Sequence, residues 1–169
     1  MKVNDRTTMR ELKILRRALA AQVAGPAAPV AVAGEPCAQV VRLVHECALQ
    51  HRADGGGVIV NLGSISWHLA LEELTLYQTC KAGIEGLTRS FARELGPDNI
   101  RSVCIVPGNV KTPRQMKWYT PEGEAEIVAA QCLKGRLVPD DIAAMALFLA
   151  SDDARLVTGH EYFVDAGWR

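Results

Sequence analysis

A serine, a tyrosine and a lysine stand close together in this chain: Ser64 in Asn61-Leu62-Gly63-Ser64, then Lys81 in Tyr77-Gln78-Thr79-Cys80-Lys81. Tyr77 and Lys81 are four residues apart in a segment of helical periodicity, so they share one face, one turn apart. An ammonium one turn from a phenol stabilises the phenolate and draws a tyrosine pKa down from its reference of about 10. A phenol tuned in this way can remove or deliver a proton near neutral pH. Ser64 lies upstream at the end of an apolar strand, where it could hold the oxygen that gains or loses that proton. Taken alone, the Tyr-Lys pair suits a half-buried tyrosine with a lysine snorkelling over it equally well, so the surrounding elements decide.

Those elements alternate. Val58 to Leu62 is a continuous apolar run of strand length bounded by glycines, the pattern of a strand buried on both faces of a parallel sheet. Leu74 to Leu95 repeats at helical period and stops at Gly96-Pro97. Ser102 to Val106 is a second buried strand, closed by Pro107-Gly108. Pro121 to Leu133 and Pro139 to Ala150 each open on a proline with acidic residues in the first turn, which suits helix starts. Glu161 to Val164 is a final short strand. This order predicts an α/β fold with parallel pairing, in which ligands sit beyond the carboxyl ends of the strands. Ser64 and Pro107-Gly108 both follow strand ends, and so face one rim.

Upstream the pattern is weaker. Met9 to Val23 has helical composition, Gly25-Pro26-Ala27-Ala28-Pro29 breaks it, and the Ala/Val/Pro run to about Glu35 suits a linker. Cys37 to Gln50 suits another helix, ending before the turn at Asp54-Gly55-Gly56-Gly57. The expected division is an atypical segment at 1–54, helical or poorly ordered, followed by the α/β part at 55–169.

Bulk properties narrow the function classes. The chain has 169 residues, 49% hydrophobic and 22% charged, as in an ordinary globular domain. A formal net charge of zero gives no electrostatic case for nucleic acid or an anionic membrane. Five widely spaced cysteines without a Cys-x-x-Cys pair argue against a disulfide framework or a zinc site, and the four histidines show no metal-ligand spacing. Prolines interrupt the Ala/Val-rich run near the N-terminus, which argues against an export signal, and no run suits a membrane span. The expectation is a cytoplasmic protein without a metal.

Four ordered blocks carry a resemblance. They are Gly-Gly-Gly-Val-Ile-Val-Asn-Leu-Gly-Ser from Gly55, Tyr-x-x-x-Lys-Ala-Gly-Ile-Glu-Gly-Leu-Thr-Arg from Tyr77, Ile-Arg-Ser-Val-Cys-Ile-Val-Pro-Gly-Asn-Val-Lys-Thr from Ile100, and the closing pair Ala-Leu-Phe-Leu-Ala-Ser-Asp-Asp and Thr-Gly-His-Glu-Tyr-Phe-Val-Asp-Ala-Gly. From about Gly55 to its end the chain resembles the short-chain dehydrogenase/reductase family. The resemblance implies a Rossmann-like, doubly wound parallel sheet and an oxidoreductase using NAD or NADP. It implies that Tyr77 is the acid/base, that Lys81 lowers its pKa and contacts the nicotinamide ribose, and that Ser64 orients the substrate oxygen. It further implies that Pro107, Gly108, Val110 and Thr112 lie against the cofactor. The stretches Ser64–His68, Asn109–Gln115 and Val164–Arg169 are similar to sugar dehydrogenases, which implies oxidation of an aldose such as D-xylose at C1 to the lactone. Trp67, His68, Asn109 and Gln115 would then meet the sugar, with Trp118 and Tyr119 on the same loops.

The family's first βαβ unit, with its glycine-rich turn on a helix N-terminus, has no counterpart before Gly55. The expectation is therefore the C-terminal part of the fold with its first dinucleotide-binding half missing, through truncation or a frame shift upstream of Gly55. Impaired catalysis and weak cofactor binding follow from that. The alternative is a non-catalytic remnant that keeps the family's association surfaces, forming a homo-oligomer or joining an intact paralogue.

Overall fold

The computed structural model describes residues 34–168. The expected helix at Met9–Val23 and the break at Gly25–Pro29 lie outside the described residues. In chain order the elements are α1 (Gly34–Ala53), β1 (Gly57–Leu62), the one-turn α2 (Ile65–His68), α3 (Thr75–Leu95), β2 (Ile100–Pro107), α4 (Pro121–Ala130), α5 (Pro139–Ala150) and β3 (Glu161–Val164). Gly34 and Glu35, expected to close a linker, belong to α1, and the rest of that expected linker lies outside the described residues. The other expected elements form within a few residues of their anticipated bounds, and α4 ends at Ala130 rather than Leu133.

Strand period organises the layers. β1, β2 and β3 pair in that order, all parallel, with Leu62 opposite Ile105 and Pro107 opposite Val164, so every carboxyl end lies at one rim. Successive side chains of a strand point to opposite faces. Val103 and Ile105 therefore pack on one side with Ile142 and Leu149 of α5, joined by Val58, Val60, Tyr162 and Val164. Cys104 and Val106 face the other side with Ile65, Ile84 and Phe163. Ile59 and Ile100 share that side with Phe91 and Leu95 of α3 and Val44 and Ala48 of α1. The sheet is thus sandwiched between α5 and the pair α1 and α3. β2, the middle strand, is buried from Ser102 to Val106. β1 differs from the expectation of a strand buried on both faces: Val58, Ile59 and Val60 are only half-buried, because β1 pairs on one side alone among the described residues.

Two glycines are fixed by the turn into β1. Gly55 and Gly56 hold φ of 78° and 137°, a region that disfavours side chains, and a Cβ at Gly56 would meet the Asn99 carbonyl at 2.7 Å. The turn also closes α1, with the Gly56 amide donating to the His51 carbonyl at 2.8 Å. At the start of β2, Arg101 donates to the carbonyls of Leu149, Ser151 and Val157 at 2.7, 3.3 and 3.3 Å. That fork caps the end of α5 and fixes it to the start of β2.

The layering predicts thiol reactivity. Cys104 is buried on the middle strand, and burial with the Glu85 carboxylate nearby pushes its thiol up to about 12. Cys132 lies exposed beyond α4. The thiolate is the reacting species. A disulfide reagent at pH 8 should label Cys132 rapidly and leave Cys104 unmodified until the protein is denatured, as read by peptide mass spectrometry. Labelling of both at similar rates in the native protein would contradict the buried middle strand.

Candidate active site

The site grows from one face of α3. Lys81, Glu85 and Thr88 are spaced by four and three residues, so they form a polar stripe turned toward the end of β1. Lys81 Nζ donates to the Leu62 carbonyl at 2.8 Å. Glu85 Oε1 accepts from the Ser64 amide at 3.4 Å, and Glu85 Oε2 lies 3.0 Å from His68 Nε2. Thr88 Oγ1 accepts from Asn61 Nδ2 at 2.9 Å. Three helix residues thus hold four positions in the segment that leaves the strand: Asn61, Leu62, Ser64 and His68.

Tyr77 stands one turn before Lys81. It is 44% exposed, and Lys81 Nζ lies 5.7 Å from its ring centroid, within cation–π range. Burial lowers the Lys81 pKa from the usual ammonium value, a displacement opposed by the Cys104 thiol, the Glu85 carboxylate and Cys80. The ammonium is therefore partly desolvated and held between a carbonyl and an aromatic face. Close to it, Ser64 is the N-cap of α2, with its hydroxyl accepting from the Ser66 amide at 3.2 Å and donating to Ser66 Oγ at 3.0 Å. Trp67 is on the rim, and its ring centroid is 3.8 Å from that of His68, which also meets Phe163 edge-on at 4.9 Å.

The loop after β2 is tied down separately. The Gly108 amide donates to the Val164 carbonyl at 2.8 Å and the Lys111 amide to the Leu137 carbonyl at 2.7 Å. A Cβ at Gly108 would meet Asp165 Cα at 2.7 Å, so this glycine permits close approach of the segment after β3. Val110 is buried in the core beside Leu137, and Thr112 accepts from the Gln115 amide at 3.3 Å. Asn109 is fully engaged: Nδ2 donates to the Tyr119 hydroxyl at 2.7 Å and Oδ1 accepts from Arg136 at 3.0 Å. Arg136 and Lys111 both pair with Glu124, at 3.3 and 3.2 Å. Gln115 keeps a buried Oε1 without a hydrogen-bond partner among the described residues.

A family model described as enoyl-(acyl carrier protein) reductase matches residues 36–169. The D-xylose 1-dehydrogenase of Caulobacter vibrioides is 75% identical over 115 residues, covering 68% of this chain and 46% of that protein. The chain belongs to the short-chain dehydrogenase/reductase family. A protein of Rhizobium meliloti described as a probable galactose dehydrogenase, GalD, is 48% identical over 114 residues, covering 67% of this chain and 44% of that one. Among solved structures, 4-hydroxyisoleucine dehydrogenase complexed with NADH superposes with a TM-score of 0.72 at 26% identity, over 96% of this chain and 61% of that one. The chain thus spans less than half the length of these two curated relatives. It corresponds to the C-terminal part of the Rossmann-like fold.

Within this fold, the structure brings Ser64, His68 and Lys81 together at the end of β1, with Tyr77 over the lysine. Asn109, Val110, Thr112 and Gln115 form a second group on the same rim, and among the described residues their side-chain hydrogen bonds and ion pairs run to Tyr119, Arg136 and each other rather than to the first. Glu85 is the residue that sequence inspection passed over. Its signal was available, since it lies four residues beyond Lys81 on the same helical face. Arg136 and Glu124 carried no local signal, because their partners are distant in sequence.

Two glycines on this site give opposite expectations. A methyl group on Gly63 would run into Oε1 of the buried Glu85, whereas one on Gly86 would meet open space. Gly63→Ala should cost about 1–3 kcal/mol through overpacking. Gly86→Ala should stabilise α3 by about 0.5–1 kcal/mol. Urea denaturation of both variants checks the pair, and equal effects would contradict the clamp of Glu85 on the strand end.

Proposed function

We propose that the chain carries the proton-handling and nicotinamide-facing residues of an NAD(P)-dependent sugar dehydrogenase that oxidises an aldose such as D-xylose at C1 to the lactone. The observation that carries this reading is the partly desolvated Lys81 ammonium, bonded to the strand end and facing the Tyr77 ring. Oxidation of a hydroxyl takes a proton from oxygen as a hydride leaves carbon for the nicotinamide. Tyr77 accepts that proton, Ser64 orients the substrate oxygen, and Lys81 steadies the charge on the phenol and meets the nicotinamide ribose. Pro107, Gly108, Val110 and Thr112 present the loop along which the nicotinamide amide would lie. Thr112 Oγ1 retains hydrogen-bonding capacity beyond its one bond from Gln115. Trp67, His68, Asn109 and Gln115 form the sugar side of the site. NAD and NADP both fit this set of residues, which addresses the nicotinamide end and not the ribose 2′ position. The similarity to D-xylose and galactose dehydrogenases supports the substrate class, and a cytoplasmic location accords with free thiols at Cys47, Cys104 and Cys132. Among the described residues no helix is long and apolar enough to cross a membrane.

A second reading rests on β1. Its outer edge carries no strand among the described residues, and Val58, Ile59 and Val60 are half-buried there. An unpaired apolar strand is a ready template for pairing with another chain. Association with an intact paralogue, or with a second copy, would cover it. Co-purification with such a paralogue, without cofactor binding by the chain itself, would favour this reading over the first.

Two experiments test the leading reading. Titration calorimetry of the 169-residue protein with NAD and NADP should give a dissociation constant of about a millimolar or weaker, equivalent to only about 4 kcal/mol, because these residues grip only one end of the dinucleotide. Xylose dehydrogenase activity of the protein by itself should be undetectable; micromolar binding or clear turnover would show a cofactor grip beyond the residues named. When the site is completed by a full-length relative's first half, Tyr77→Phe should lower turnover by about 10²–10⁴-fold with cofactor affinity nearly intact. Turnover within a few-fold of the parent would exclude Tyr77 as the base.

A further inference from the structure

Glu85 is a carboxylate at 3% exposure in the middle of α3, and burial of such a group is costly unless it is well paired. Its two oxygens are both committed, Oε1 to the Ser64 amide and Oε2 to His68 Nε2. The two residues it holds are among those that the proposed function assigns to the substrate. A carboxylate has no proton to donate, so with Glu85 in that form the 3.0 Å contact requires its hydrogen on His68 Nε2. In the neutral imidazole that assignment makes Nδ1 an acceptor. The ring has little freedom to turn, being confined by Trp67 and Phe163.

We infer that Glu85 is a positioning residue of the sugar site: it fixes His68 as the Nε2–H tautomer, so that Nδ1 accepts a hydrogen bond from a non-reacting sugar hydroxyl, and it holds the Ser64 backbone in register. This rests on the reading of the chain as a sugar dehydrogenase. It adds a specificity element to that reading. A site that offers a buried acceptor favours a ligand with a hydroxyl donor there and discriminates against one without it. The neighbouring groups suit the assignment. Lys81 is four residues before Glu85 on α3 but is directed to the Leu62 carbonyl, and the facing side of β2 contributes the neutral Cys104.

Nitrogen-resolved NMR of the full 169-residue protein labelled in its histidines tests the inference, with His68 assigned by its loss in His68→Asn. The expected free spectrum shows a protonated Nε2 and a pyridine-like Nδ1. Titration with D-xylose should then shift the Nδ1 resonance together with the Ser64 amide. In Glu85→Gln, which keeps the side-chain shape, half-saturation of the Ser64 shift should need about tenfold more D-xylose, while the thermal midpoint stays within a few degrees of the parent. A Ser64 amide that shifts while Nδ1 stays still, an Nδ1–H tautomer in the free protein, or an unchanged half-saturation in Glu85→Gln would overturn the inference and leave the sugar site standing. No shift at Ser64, Tyr77 or His68 at any sugar concentration would overturn both.

Discussion

The site depends on where one ammonium ion can rest. Lys81 is drawn partly out of water by the packing of α3 on the sheet, and that burial lowers its pKa. The cost is offset by the last carbonyl of β1, which accepts from Nζ at 2.8 Å, and by the face of Tyr77 on the other side. A lysine on a solvated helix face would have no reason to hold this position. Because the ammonium bonds to the strand end, the helix cannot slide along the sheet without breaking that bond, and the tyrosine one turn earlier moves with it. Glu85 and Thr88 extend the same constraint along the helix, each engaging a residue of the segment that leaves β1.

The sheet makes such placement possible. β2 is sealed on both faces, by α5 on one and by α1 and α3 on the other, and it sets the height at which both neighbouring strands end. The parallel register brings Leu62, Pro107 and Val164 to a single rim, and the loops that follow carry the polar chemistry. The loop after β2 is braced by other means. Its backbone bonds to the segments holding Leu137 and Val164, and its Asn109 is enclosed by Tyr119 and Arg136. An asparagine used in this way braces the loop, with both ends of its amide engaged by neighbouring side chains.

Local signals and distant ones had different fates in the sequence. Apolar runs ending in glycine or proline announced β1 and β2, and prolines followed by acids announced α4 and α5, because those signals are local. The pairing of Tyr77 with Lys81 was equally legible, since helical spacing fixes it. The half-buried state of β1 was not, because burial of a strand depends on its neighbours and not on its own residues. Helical period could have shown that Glu85 shares the face of Lys81. It could not show that the carboxylate reaches His68, seventeen residues back, since that contact exists only once β1, α2 and α3 are packed. The bracing of Asn109 by Arg136, across twenty-seven residues, was hidden for the same reason.

The proposed function has this chain present its chemistry to the nicotinamide end of the cofactor, through Lys81, Tyr77 and the loop at Pro107–Thr112. Saturation-transfer NMR of NAD with the 169-residue protein measures this directly, since it reads weak complexes and reports which ligand protons touch the protein. The account predicts strongest saturation on the nicotinamide ring and its ribose, weak saturation on adenine, and loss of the nicotinamide signal in Lys81→Met. Saturation centred on adenine, or a pattern unchanged by Lys81→Met, would contradict it.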